Sequence, residues 1–485
     1  MKSEKKSIVG LLAFTVIVCL MSGCASGPKA VKLDPKNPTT VTVWHYYNGA
    51  VINAFDQLVK EFNETVGIEK GIIVQGSGMG NVSELRGAVL ASANNEVGSQ
   101  PIPDIFAAYA DTAYAAEQLG ILADMNAYFT KEELDEYIAS YVDEGRIGIN
   151  GELRIFPIAK STEIFMLNET DWAPFAVEKG FTHDDLKTVE GLAAVAGAYY
   201  EWTDAKTPDV PNDGKAFWGR DAMANMFIIG SKQLGTEIFT VDKGKATINA
   251  DETIMRRIWD NYYLPYVNGH FLSAGRYRSD DTKVGELISY VGSTSSAMYF
   301  PSEVTIDGES RVIAATILPP PVYIGASDVL VQQGAGMVMS KSTPEKELAS
   351  SIFLKWFTDT EVNIKFSALS GYMPVKKAAN DYDKFMEVVN KNEIMQDEIS
   401  MHTLEVAFDA VNKSEMYTSK TFAGAVEARS LLENSLQEKA VADRASVVEA
   451  RENAAQVLAT LSADENFDAW YQSFSEALQG CISAE

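Results

Sequence analysis

The sequence predicts an α/β protein with more than one core, and three observations predict it. At 485 residues the chain exceeds what one hydrophobic core organises. Its composition, 46% apolar and 22% charged, is that of a chain able to bury large cores. From residue 41 onward, short β-branched or fully apolar runs alternate with stretches whose apolar residues recur every three or four positions. That order builds parallel sheets covered by helices.

The N-terminus comes first. Residues 1–7 are basic and polar, and residues 8–20 (IVGLLAFTVIVCL) form an apolar run too short for an ordinary membrane span. That is the shape of a secretory leader. The run closes as Leu20-Met21-Ser22-Gly23-Cys24, which resembles the lipobox of bacterial lipoproteins, with Met21 where leucine is commoner. The expectation is a signal peptide over 1–23 and a lipidated Cys24 that anchors the exported chain to the outside of the cell membrane. An ordinary leader that happens to contain a cysteine is the alternative. Residues 24–39, rich in proline, lysine and small residues, read as a flexible tether. No later stretch has eighteen consecutive apolar residues. Cys19 falls in the leader, so with Cys24 acylated Cys481 has no partner and the fold stands without disulfides.

Residues 41–47 (VTVWHYY) read as a strand. Val51, Ile52, Phe55, Leu58, Val59 and Phe62 place one stripe on a helix. Ile72, Ile73 and Val74 form a short apolar strand, residues 76–80 (GSGMG) a turn, 83–93 a helix and 103–108 (PDIFAA) a third strand. Residues 151–158 are extended. Several helical stretches with Trp172, Trp202, Trp218 and Trp259 follow, interrupted by the 208–214 loop (PDVPNDG). Residues 317–321 (ILPPP) read as a stiff extended crossing between lobes. A strand over 334–339 precedes a helix with Thr343 as N-cap and Pro344 at its first position. Beyond Asp381 the chain is helical in character.

Open parallel sheets bind ligands outside the carboxyl ends of their strands. That rule selects Trp44, Tyr46, Tyr47 and Asn48 after the first strand, the 76–80 turn with Ser77 after the second, and Tyr109 and Asp111 after the third. Aromatic faces with polar neighbours suit the C–H faces and hydroxyls of a sugar; the competing assignment for Trp44 and Tyr46 is core packing. The glycines at 76, 78 and 80 do not match the dinucleotide pattern G-x-G-x-x-G, because position 81 is Asn.

With 41 Lys and Arg against 67 Asp and Glu, the formal net charge is -26. Such a surface repels phosphate backbones and excludes nucleic acid as a natural partner. The four histidines show no i, i+4 pairing, and there is no H-E-x-x-H, G-x-S-x-G or Walker A motif. No cofactor, no metal and no enzymatic activity are expected. A glycosidase carboxylate pair and a surface interaction protein remain the alternatives.

Taken in order, these segments resemble the extracellular solute-binding proteins of the carbohydrate class, the receptor subunits of ATP-binding-cassette importers. The likeness lies in Thr42-Val43-Trp44-His45 with the helix through Phe62, in Pro103-Asp104-Ile105 with 120–125 (GILADM), and in 151–168 (GELRIFPIAKSTEIFMLN). It continues through Ser296-Ala297-Met298, Gly334-Ala335-Gly336, the helix through Trp356, and 370–375 (SGYMPV). The resemblance implies a two-lobed periplasmic-binding-protein-like fold, each lobe a mainly parallel sheet flanked by helices, with a helical C-terminal region. It divides the chain into 40–155 with 323–375 and 156–322 with 376–485. It further implies a monomer that closes by a hinge on a carbohydrate and delivers it to permease subunits. Carried over by matching segment, the cleft positions are Trp44, His45, Tyr46, Tyr109, Asp111, Glu163, Tyr299 and Tyr372. Trp218 joins them on aromatic character alone. The Trp44-His45 opening also resembles receptors for glycerol phosphates, for which Lys160 and Arg220 are candidate anion contacts.

Overall fold

The computed structural model describes residues 31–482 except 211, 243, 307, 395 and 396. The expected leader, Cys24 and the first part of the tether lie outside the described residues. Strand β1 (Thr39–His45) buries Val41 and Val43, and helix α1 (Gly49–Phe62) buries the stripe Phe55, Leu58, Val59 and Phe62. Strand β2 (Ile72–Gly78) runs further than expected, through the glycines assigned to a turn. A Cβ on Gly76 would stand 2.9 Å from the Phe55 ring, so the missing side chain lets β2 pass close to α1. Helix α2 (Val82–Ala93) opens on a capping box in which Asn81 and Glu84 satisfy each other's backbone N–H groups. Strand β3 (Ile105–Ala108) is buried along its length, and helix α3 (Ala110–Gln118) follows Tyr109.

Strand β4 (Ile155–Phe156) leads out of the first lobe. The second holds β5 (Glu163–Asn168), β6 (Trp218–Arg220), helix α4 (Met223–Gln233), β7 (Ser289–Ser293) and β8 (Ala315–Leu318). The chain returns through β9 (Gly336–Met339) and helix α5 (Pro344–Phe357), where the Thr343 hydroxyl accepts from the Lys346 N–H at 3.4 Å as the N-cap pattern predicts. Helices α6 (Ala425–Ala450) and α7 (Asp464–Ile482) pack Leu432, Leu436, Phe467, Trp470 and Phe474 into the second lobe's core.

The expected two-lobed α/β architecture is present. One sheet runs β2-β1-β3-β9-β4, the other β8-β5-β7-β6. Their polarity corrects the expectation of mainly parallel sheets. In the first, β1 is parallel to β2 and β3 while β9 is antiparallel to β3 and β4; in the second, only β6 and β7 pair in parallel. The cause is the crossings. Strands β1, β3, β4, β6 and β7 end toward the lobe junction, whereas β5 and β9 start from it and so run the other way.

The junction is made of three side-by-side segments. Ser161 and Gln333 exchange backbone hydrogen bonds of 3.0 and 2.9 Å, and Lys160 and Met373 exchange bonds of 3.0 and 2.6 Å. The return crossing is therefore 332–335, not 317–321. Residues 315–318 form β8, an edge strand, and the prolines that follow cost nothing there because an edge has no partner for their missing N–H. One core spans Val41 to Ala159 and resumes at Met337; the other takes Phe165 through Val331, Tyr323 included.

Candidate functional site

The ends of β1 and β3 bring Tyr46 and Tyr109 together, their rings nearly parallel with centroids 6.3 Å apart. Tyr372 joins them from the loop after the left-handed Gly371, its phenol beside Tyr46 and, across the junction, Ser295. Burial above all raises the three phenols beyond the ordinary tyrosine value, so at neutral pH they are O–H donors. Tyr109, Asp111 and Tyr372 line a cleft cavity of about 470 Å³, faced from the second lobe by Asn225, Ser293 and Arg429. A 418–421 segment separates it from a second cavity of about 660 Å³ beside Tyr114 and Lys245.

The other predicted residues take different places. Trp44 is 5% exposed within the first core, because β1 is covered on both faces and Trp44 still lies inside the sheet. His45 is buried, stacked on Tyr47 at 5.0 Å, and its Nδ1 accepts the Tyr47 N–H at 3.3 Å; burial holds its pKa below the usual value, so it is neutral. Tyr47 packs between Phe55 and Phe366. Asn48 is exposed at the N-cap of α1 and Ser77 is exposed on β2, both outside the cavity lining. Trp218 is core, edge-on to Phe271 at 4.7 Å. Tyr299 reaches across the junction: a Cβ on Gly49 would lie 3.7 Å from its hydroxyl.

Glu163 does not line the cleft cavity. It is 5% exposed, ion-paired with Arg220 and accepting the Asn225 side-chain N–H at 2.8 Å. Asn225 in turn accepts from the Arg429 guanidinium at 3.0 Å. The two candidate anion contacts are corrected as well: Arg220 belongs to Glu163, and Lys160, 1% exposed, is held by Glu144 at 2.7 Å and the Gly334 carbonyl at 2.8 Å. Buried cations need such partners, and having them they are not free for a ligand.

Sequence reading missed Asn225, Ser293 and Arg429. Ser293 closes β7 and Asn225 follows β6, so the strand-end rule would have found both had those strands been located. Arg429 carries no local signal; it reaches the cleft only because α6 packs on α4.

Among the described residues no cluster of His, Cys, Asp and Glu suits a metal ion, and no helix is long and apolar enough to cross a membrane. Cys481 is a free thiol.

Comparison with curated proteins finds no match. Solved structures resemble the chain over nearly its whole length. The cyclic alpha-maltosyl-1,6-maltose binding protein of Arthrobacter globiformis aligns with TM-score 0.65 at 16% identity, covering 93% of this chain and 100% of that one. UgpB of Mycobacterium tuberculosis, in complex with glycerophosphocholine, gives 0.63 at 16% over 92% and 99%. The GacH receptor of Streptomyces glaucescens, solved unliganded and with acarbose, gives 0.62 at 14% over 91% and 99%. At such identities the likeness establishes the shared fold. The model of the bacterial extracellular solute-binding proteins matches residues 57–396, and the chain belongs to that family.

Proposed function

We propose that the protein is a receptor that captures a hydroxylated solute, a sugar or short oligosaccharide, between its lobes and passes it unchanged to the permease of an ATP-binding-cassette importer. A lipid on Cys24 holds it at the outer face of the cell membrane. The observation that carries the reading is the convergence of Tyr109 and Tyr372 from one lobe with Ser293 and Asn225 from the other on a single cavity. Phenol rings offer flat apolar faces and the polar groups fix hydroxyl orientation. A ligand touching both lobes favours the closed arrangement by its differential affinity for it. The structural relatives that bind a cyclic maltosyl-maltose or acarbose support a saccharide. The relative holding glycerophosphocholine supports the alternative of a glycerol-phosphate-type solute.

A thermal-shift screen with maltotriose, acarbose and glycerophosphocholine tests this. A bound solute at a hundred times its Kd stabilises the folded chain by about 2.7 kcal/mol and raises Tm. No shift with any saccharide or polyol, or recovery of a cleaved product by mass spectrometry, refutes the reading. Cys24→Ser should release the protein from the membrane fraction; retention there refutes the anchor.

A further inference from the structure

The cleft does not share the acidic excess of the whole chain: four carboxylates and four cations line its two cavities. Each carboxylate has a cation: Glu117 with Arg154 at 2.8 Å, Glu144 with Lys160 at 2.7 Å, Asp111 with Arg86 at 3.8 Å and Asp143 with Arg146 at 4.0 Å. The cations Arg429, Lys420 and Lys245 also line it, and among the described residues none has a carboxylate within 4.0 Å.

Arg429 is also oriented without being neutralised. Its guanidinium donates to the Asn225 side-chain carbonyl at 3.0 Å, a neutral oxygen. The charge of Glu163 behind Asn225 is already met by Arg220. The relay therefore fixes the fork while leaving its positive charge and remaining N–H donors toward the cavity shared with Tyr109. Guanidinium geometry matches two oxygens of a carboxylate or phosphate.

We infer that the solute is anionic: a polyhydroxylated ligand whose carboxylate or phosphate is received by Arg429 with Lys420 beside it, while the tyrosines take its hydroxylated part. This rests on the reading of the cleft as the solute site. Calorimetry on the full chain, wild type and Arg429→Gln, tests it with digalacturonate, its dimethyl ester, sn-glycerol 3-phosphate, glycerol and maltotriose. Binding of digalacturonate marks a sugar acid, and binding of sn-glycerol 3-phosphate marks a phosphate ester. In either case the neutral counterpart should bind at least about tenfold more weakly, and Arg429→Gln should lower the affinity for the anion by a similar factor. Unliganded Tm should stay at the wild-type value, since Arg429 is exposed. Equal affinity for acid and ester, or an Arg429→Gln variant that binds the anion as wild type does, overturns the inference. Tight binding of maltotriose alone overturns it and leaves the saccharide reading standing. Failure of every probe, charged and neutral, counts against both.

Discussion

Replacing Glu163 by glutamine removes one charge from a pair with little access to water. The Glu163 side chain is 6% exposed and that of Arg220 10%, so solvent does not replace the lost carboxylate. Arg220 keeps only its bond to the Ala222 carbonyl at 3.0 Å as a full-strength partner. Breaking a buried pair from one side costs about 3–5 kcal/mol; the surviving bond argues for the lower end, about 3 kcal/mol. With a urea dependence of about 3 kcal/mol per molar, the upper end for small proteins, the unfolding midpoint should fall by about 1 M. Ligand affinity should fall as well, by about tenfold, because Asn225 loses the charged acceptor that holds it for Arg429. Glu163→Met with Arg220→Met separates the two effects: removing both charges should recover most of the stability but not the affinity. A midpoint shift below about 0.3 M would refute the argument from burial. A double variant as unstable as the single one would show that packing, not charge, is lost.

The remaining predictions concern the cavity wall, a buried imidazole and the junction. Tyr109→Ala should weaken solute binding by about tenfold or more, as for a ring that stacks on ligand, beyond the loss of urea midpoint that removing its packing on Tyr46 brings; unchanged affinity in the folded variant would make Tyr109 a core residue only. His270 is pushed down to about 4, by burial first and then by Arg444. Its folded form resists protonation, so the stability it confers is complete above the unfolded value near 6.5 and drains away as pH falls toward 4, by about 3 kcal/mol. His270→Gln should flatten the stability profile across that window; an unchanged slope refutes the assignment. Gly334 lies in the return crossing at φ +96, where a Cβ would stand 3.0 Å from the Ala159 carbonyl oxygen and 3.1 Å from the Lys160 Cα. Gly334→Ala should cost about 1–3 kcal/mol and weaken binding by shifting the crossing; wild-type affinity and midpoint would show that the junction tolerates the side chain.

Local patterning by itself determined the opening elements of the first lobe. The stripe Phe55, Leu58, Val59 and Phe62 faces a core because a 3.6-residue period leaves a helix no other apolar side. The Thr343-Pro344 start is a property of four consecutive backbone groups, so it was visible without a fold. Tyr109, Asp111 and Tyr372 were legible for a related reason: each follows or interrupts an element whose end the sequence marks. Trp44 and Trp218 were misread because composition shows that a ring is present but not which layer covers it. Strand polarity, the place of the return crossing, the engagement of Lys160 and Arg220, and the path from Glu163 through Asn225 to Arg429 were decided only by tertiary packing. Asn225 and Arg429 stand 204 positions apart, and nothing local records a contact that exists only once two helices have docked. The unpaired cations of the cleft are the extreme case. Net charge sums over every residue, whereas a ligand meets only those cations that folding leaves without a carboxylate.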